Sequence, residues 1–327
     1  MTGTPLSELT TLGVGGPASE LVQVSTREEL VAAFLDVSAE HDEWRVLGGG
    51  SNIVVADAGV NAPVIRIRTR GIDAMDSPQP GKVRVRAEAG EGWDDLVAWA
   101  VSKGFAGLES LSGIPGTVGA APIQNIGAYG AELADTLVSI EWLDENTGEI
   151  ETLSATDLQL GYRTSILKHG GRRGIVVSVL LELSTDIPAA ELAATRAEVL
   201  KVRASKGMVL SDDPDSRSAG SFFMNPIVRE TFARDLPADA PRYPVGHTES
   251  GESLVKLSAA WLIDNAGIRK GFALPGSNAA VSSKHTLAIT NRGGATSAQV
   301  WELARFIELR VQQTFGINLV PEPSYWN

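Results

Sequence analysis

Two spacings of apolar residues alternate along this chain. Leu30, Ala33 and Phe34 recur at helical spacing behind Thr26 and Glu29, a capping box, so the pattern predicts a helix running to about Glu40. A second box, Thr296 with Gln299, opens a helix over 297–315 that lines up Val300, Leu303, Ile307 and Val311. "WDDLVAWAVSKG", stopped by Gly104, and the stretch 189–203 read as helices too. "LVKLSAAWLIDNAG" (254–267) reads as a helix with Leu254, Leu257 and Trp261 on one face and Gly267 as its stop. "VRVRAEA" (83–89) alternates strictly and reads as a half-exposed strand. Short apolar runs at 44–47, 52–56, 64–68, 137–143, 149–153 and 175–183 predict further strands, and the glycine-rich stretch 10–24 turns into another.

Helix and strand patterns thus interleave, as in α/β units. Polar, Pro-containing "MDSPQPGK" (75–82) interrupts them and marks a first boundary. The helix 189–203 and the loop 205–219 lead into a third segment, which divides the chain into 1–75, 76–203 and 204–327. A length of 327 residues accommodates two or three such domains. The net charge of −12 provides no basic stripe for a nucleic acid, yet it permits a local basic pocket for an anionic small molecule. The lack of cysteine excludes disulfides, thiolate catalysis and Cys-ligated zinc. With neither a secretory apolar core nor a membrane-length apolar run, the expected location is cytoplasmic, with no membrane partner.

Two glycine-rich stretches carry the first chemistry. "VLGGGSNIVVAD" (46–57) holds Gly48 and Gly50 of a dinucleotide fingerprint, but Ile53 stands where its third glycine belongs. The β-branched Ile53-Val54-Val55 predicts a strand after the loop rather than a helix. A phosphate held here would sit on the loop's own N–H groups, a nest. "LSGIPGTVGAAPIQNIGAYG" (111–130) packs five glycines into one irregular stretch, and a loop of that length usually has a function. Glycines alone mark tight turns. Two such loops on neighbouring units, with Ser51, Asn52, Thr117 and Asn125 among them, favour an extended dinucleotide.

The remaining motifs have bland readings as well. His41, His169, His247 and His285 are scattered without metal-pair spacing, so no metal site is expected, and His285 in "SSKHT" reads as a turn or packing residue. Neither a G-x-S-x-G elbow nor a Walker loop occurs. "GYRTSILK" (161–168) offers Tyr162, Arg163 and Lys168, although an arginine there is more often a solvated surface charge. In "AGSFFMNP" (219–226) the residues alone favour core phenylalanines at 222 and 223, with Ser221 an incidental small neighbour.

Taken in order, "TTLGVGGPA", "VLGGGSNIVV", "LSGIPGTVGAAPIQNIGAYG", "GYRTSILK", "AGSFFMNP", "KLSAAWLIDNAG" and the terminal "PEP" resemble the UDP-N-acetylenolpyruvoylglucosamine reductase (MurB) family, from residue 10 to residue 323. The resemblance implies an α+β chain. Two α/β subdomains would form an FAD-binding fold of the PCMH type, and a C-terminal α/β domain would bind substrate, its last residues returning to the active site. It implies non-covalent FAD, NADPH as co-substrate, a UDP-sugar as small-molecule partner, and a monomer. The family reduces UDP-N-acetylglucosamine enolpyruvate to UDP-N-acetylmuramate for peptidoglycan. Hydride passes from NADPH to flavin N5 and then to C3 of the enolpyruvyl group.

Residue by residue, the resemblance places Ser221 as the proton donor to C2, with Arg163 and Glu322 stabilising the enol-like intermediate. Glu322 donates there only if protonated, which a raised pKa would allow. Cofactor contacts would come from Gly48, Gly49, Gly50, Ser51 and Asn52 in the first stretch. In the second they would come from Ser112, Gly113, Ile114, Pro115, Gly116, Thr117, Gly119, Asn125, Gly127 and Tyr129. Lys206 and Asn225 would contact the UDP part, and Tyr162 and Tyr243 the substrate more generally. The chain departs from the pattern in two places. Met224 stands where many relatives have lysine, and with no tyrosine between Arg163 and Tyr243 the substrate-covering tyrosine loop of one branch is absent. Two rivals remain: another PCMH-type FAD oxidoreductase, which would leave "AGSFF" and "PEP" unexplained, and a non-catalytic UDP-sugar-binding relative. The latter would be expected to lack Ser221, Arg163 or Glu322, and all three are present.

Overall fold

The computed structural model describes residues 3–168 and 170–327. They form two compact units. The first contains the N-terminal residues to Pro5, Pro17–Gly50 and Gly59–Val209; the second contains Leu6–Gly16, Ser51–Ala58 and Leu210–Asn327.

In the first unit, strands Ala18–Val24, Val60–Ile67 and Arg45–Leu47 make a parallel sheet with Val60–Ile67 in the middle. The middle strand is a nearly continuous apolar run, as burial on both faces demands. The helix Arg27–Glu40 begins at the anticipated box: Glu29 N donates to Thr26 Oγ1, and the Glu29 carboxylate accepts from Thr26 N. Such a cap contributes about 1 kcal/mol. Leu30, Phe34 and Val37 turn into the core. An antiparallel sheet follows, in the order Ile150–Ser154, Leu137–Asp144, Gly174–Ser184, Lys82–Glu88, Ile72–Asp76. Helices Trp93–Ser102 and Ala189–Ser205 complete the unit, and one continuous core joins Leu30 and Phe34 to Val85, Trp93, Val177 and Leu192.

The polar stretch 75–82 turns between two paired strands, Ile72–Asp76 and Lys82–Glu88. Proline and polar residues interrupt periodicity in a hairpin turn as well as in a linker, so composition alone does not separate the two.

The second unit holds an antiparallel sheet with Ser253–Leu257 between Ile227–Arg229 and Arg242–His247, and a hairpin of Ala279–Val281 with Ile289–Asn291. Its long helix, Ser297–Phe315, starts at the Thr296–Gln299 box and ends on left-handed Gly316. Val300, Leu303, Ile307 and Val311 are fully buried, each worth about 1.5–3 kcal/mol of apolar burial. The helix expected from Leu254 is shorter. Leu254-Val-Lys-Leu257 lies in the central strand, Ser258 caps through Trp261 N, and the helix covers Ala259–Asn265. Leu254 and Leu257 also satisfied the helical template, and sheet pairing on both sides of the strand decides against it. The segment after the first glycine loop is a strand, as expected, at Ile53–Val55. It belongs to the second unit, pairing in parallel with Ser324–Trp326. Among the described residues no helix is long and apolar enough to cross a membrane.

Candidate active site

Within the first unit the two glycine-rich stretches lie against each other. A Cβ on Gly49 would sit 2.6 Å from Gly116 Cα, and one on Gly48 would sit 2.3 Å from Thr117 Oγ1. At Gly49 the obstacle is backbone, so only glycine allows this approach; at Gly48 the Thr117 side chain would have to shift. The second stretch is not structureless. It contains short 3₁₀ turns at Glu109–Leu111 and Val118–Ala120 and a small hairpin of Gly127–Ala128 with Ala131–Glu132. Trp93 N donates to Gly116 O (3.0 Å), and Gly113 N donates to Asp94 Oδ1 (2.6 Å). The helix Trp93–Ser102 thereby holds both ends of the Gly113–Gly116 turn.

Arg196 grips the same Asp94 carboxylate with both arms, at 2.6 and 2.8 Å. Burial pushes the Asp94 carboxyl up, but Arg196 and the Gly113 N–H outweigh it and leave the group below the usual carboxylate range. Gly113, at φ +71°, packs on Leu200 and Arg203. Arg203 is 7% exposed; its guanidinium donates to Met208 O (3.0 Å), and its Nε is buried without a hydrogen-bond partner. Burial lowers its pKa, while Tyr129 and Asp94 oppose the shift. A buried cation behind two glycine-rich loops in close backbone contact suits an anionic group such as a pyrophosphate. These features fit FAD.

Not every expected cofactor residue presents its side chain. Ser112 is fully buried, and its hydroxyl donates to Glu109 O (2.6 Å). Asn125, also fully buried, donates to Glu132 Oε2 (2.9 Å) and Gly161 O (3.1 Å) and accepts from Ala134 N (3.0 Å). Its side chain ties the glycine-rich stretch to the turn that carries Arg163. That turn closes by reciprocal bonds between Gly161 and Thr164, at 3.1 and 3.2 Å. Arg163 sits in it at φ 55°, and its guanidinium donates to Gly127 O and Asn125 O and lies 5.4 Å from the Tyr162 ring. Lys168 Nζ donates to Arg163 O (3.0 Å) and Gln124 Oε1 (3.3 Å). Among the described residues the non-glycine positive φ angles fall at Asn125, Tyr129, Gln159 and Arg163, three of which are expected site residues. Strained backbone of this kind gathers at functional sites. Lys206 Nζ stands 5.8 Å from the Tyr129 ring centroid.

In the second unit, Ser221 and Glu322 lie on neighbouring extended segments. Glu322 N donates to Phe222 O (2.9 Å), Met224 N donates to Val320 O (2.9 Å), and Phe223 bridges Pro321. Phe222 and Phe223 are core residues and fix the segment, leaving Ser221 half-buried. Asn225 Oδ1 accepts from Ala259 N (2.9 Å), anchoring the helix that follows. Tyr243, 53% exposed, sits opposite Lys256 on the edge strand Arg242–His247. Ser51 and Asn52 also belong to this unit.

Sequence reasoning missed Arg203, although the Arg-x-x-Lys spacing to Lys206 is visible. It also missed the Asp94–Arg196 pair, whose members lie 102 residues apart. His285 lies in a turn, its N–H donating to Ser282 Oγ (3.2 Å), and His169 lies outside the described residues. Among the described residues no three His, Cys, Asp or Glu side chains group as metal ligands.

Two family models match the chain. One, described as an FAD binding domain, covers residues 18–154; the other, described as the UDP-N-acetylenolpyruvoylglucosamine reductase C-terminal domain, covers 212–326. A UDP-N-acetylenolpyruvoylglucosamine reductase of Leifsonia xyli subsp. xyli is 50% identical over 99% of this chain and 98% of its own length. One from Mycobacterium tuberculosis is 42% identical over 98% and 93%. The crystal structure of the Thermus caldophilus reductase superposes with a TM-score of 0.71 at 33% identity, covering 99% of this chain and 98% of that one.

Proposed function

The chain belongs to the UDP-N-acetylenolpyruvoylglucosamine reductase family, whose members are FAD oxidoreductases, and from that premise we propose that it reduces UDP-N-acetylglucosamine enolpyruvate to UDP-N-acetylmuramate with NADPH. When bound between the two glycine-rich stretches, FAD would supply the redox chemistry that links NADPH to the enolpyruvyl group.

The residues of the chain do the rest. The backbone of Gly48–Gly50 and Ser112–Gly119 holds the cofactor, with the buried charge of Arg203 behind Gly113 favouring its anionic portion. Ser51, Asn52, Asn125, Gly127 and Tyr129 complete this set, Asn125 by shaping the loop. Hydride addition at C3 leaves negative charge at C2 and in the adjoining carboxylate. Arg163 places a fixed cation at that carboxylate; its strained turn and its bonds to Gly127 and Asn125 preorganise it before charge develops. Ser221 Oγ–H gives its proton to C2, a role open to a weak acid because the acceptor is strongly basic. Glu322 donates to the same intermediate when it carries a proton. Lys206 serves the diphosphate, and Tyr162, Asn225 and Tyr243 contact the remainder of the UDP-sugar.

The backbone pairing of the Ser221 and Glu322 segments carries the reading, because it puts an acid and a carboxyl on adjacent strands of one unit. We read 1–75 and 76–203 as two lobes of one FAD-binding body, in line with the single match over 18–154, and 204–327 as the substrate-binding part. The protein acts as a monomer on a small-molecule UDP-sugar. The use of NADPH and a nucleotide sugar supports a cytoplasmic reaction. NADPH oxidation that depends on the enolpyruvyl substrate, with a product heavier by one hydrogen molecule in mass spectra, supports the assignment. Oxidation of NADPH at the same rate without that substrate would refute it.

A further inference from the structure

The segment that carries Glu322 is held from two sides. On one side it pairs with Phe222–Met224. On the other it runs parallel to the strand after the first glycine loop: Ser324, Tyr325 and Trp326 stand in register with Ile53, Val54 and Val55. Ser324 N donates to Asn52 O (3.0 Å), and Ala56 N donates to Trp326 O (2.7 Å). The Trp326 side chain is buried. The Asn52 side chain also reaches across this pair, and its Nδ2 donates to the backbone carbonyl of Glu322 at 3.4 Å. Asn52 therefore grips the 322–324 stretch twice, once through its own carbonyl and once through its amide. Glu322 has no helix or tight turn of its own to fix its backbone. What fixes it is pairing with segments about 100 and 270 residues away in sequence.

We propose that Asn52 is a positioning residue for Glu322, setting the height of the carboxyl on its strand, rather than only a contact for the cofactor; this rests on the catalytic reading given above. Rotation or slippage of the 322–324 backbone would move the Glu322 carboxyl relative to Ser221 Oγ, because both are carried on the same paired layer. Displacements of about 1 Å in a reacting constellation slow a chemical step by up to roughly a hundredfold. Asn52 thus matters to the step that uses Glu322, transfer to the enolpyruvyl substrate. Reduction of bound flavin by NADPH does not need that carboxyl.

The test uses the full-length, FAD-loaded protein, with the two half-reactions followed separately and anaerobically by stopped-flow absorbance across a range of pH. Asn52→Asp replaces the donor by an acceptor of nearly the same shape, and Asn52→Ser shortens the side chain beyond reach of the carbonyl. Trp326→Leu loosens the same pairing from the opposite strand and serves if neither Asn52 variant folds. For each folded variant, reoxidation by the enolpyruvyl substrate slows about tenfold, chiefly in kcat, and its pH profile moves. In Trp326→Leu, which lies outside the cofactor set, reduction by NADPH and the Kd for FAD stay within about threefold of wild type, and in the Asn52 variants any slowing of reduction is several-fold smaller than that of reoxidation. Equal slowing of both halves with weakened FAD binding overturns the proposal and makes Asn52 a cofactor ligand alone. Unchanged reoxidation overturns it as well. If the reduced wild-type protein is not reoxidised by the substrate, the catalytic reading itself fails, a result visible before any variant is made.

Discussion

Removing Asp94 tests how the flavin cradle is held. Its carboxylate accepts both arms of Arg196 and the Gly113 N–H, so Asp94→Ala strands a guanidinium and a backbone amide together. A hydrogen bond to a charged group contributes about 1.5–3 kcal/mol. Asp94 is 38% and Arg196 17% exposed, so water screens the pair and rehydrates part of what is lost. The combined loss is then about 2 kcal/mol. For a unit of this size each kcal/mol shifts Tm by about 2–4 °C, so the FAD-free Tm falls by about 4–8 °C. Gly113 loses its anchor in the same substitution, and FAD affinity, followed by quenching of flavin fluorescence, weakens about tenfold. The native Asp94 carboxyl lies below its ordinary range, so its contribution is present above the unfolded pKa of about 3.9 and is lost as pH falls through the lower native value. The gap in Tm between wild type and variant therefore closes below about pH 4. Unchanged Tm and FAD affinity in Asp94→Ala, or a gap that persists undiminished into strong acid, would refute the reasoning.

Other substitutions separate the roles of the site. Arg163→Ala slows reoxidation by substrate about 10²–10³-fold while FAD affinity changes by less than about fivefold, as stopped-flow and titration would report; an equal loss of bound flavin would make Arg163 structural. Ser221→Ala keeps reduction by NADPH and blocks product formation, which rapid-quench analysis checks. Gly49→Ala puts a Cβ 2.6 Å from Gly116 Cα, a backbone atom that has no rotamer to yield, and purified protein should retain little FAD. Glu88→Gln raises Tm above neutral pH. Burial, with Glu141 nearby, pushes the Glu88 carboxyl up against the pull of Arg27, and one of its oxygens is buried without a partner. A raised native pKa penalises the ionised native state, so the gain grows as pH rises through the native pKa and vanishes below about pH 4, where Glu88 is protonated in both states.

What the sequence disclosed follows from the range of the interactions involved. The capping boxes at Thr26–Glu29 and Thr296–Gln299 close within one helical turn, and the stripe from Val300 to Val311 repeats at a fixed period; both were legible. The strand after Gly50 was legible from its β-branched residues, but its partner was not. Ile53–Val55 pairs with Ser324–Trp326 across nearly the whole chain, and no local pattern encodes a parallel partner. The same distance hid Asp94–Arg196 and the tie from Asn52 to Glu322. At 254–257 the strand and helix templates both fitted, and only the flanking strands settle the choice. Asn125 was named as a cofactor contact by resemblance alone, and the internal bonds of its amide are visible only in three dimensions.

An anaerobic visible spectrum of the FAD-loaded protein, taken before NADPH, after it, and after UDP-N-acetylglucosamine enolpyruvate, tests the central claim most directly. The account predicts a flavin band that bleaches with NADPH and regains its colour on adding the substrate. Bleaching without return would contradict the substrate assignment, and no flavin band after incubation with FAD would contradict the cradle itself.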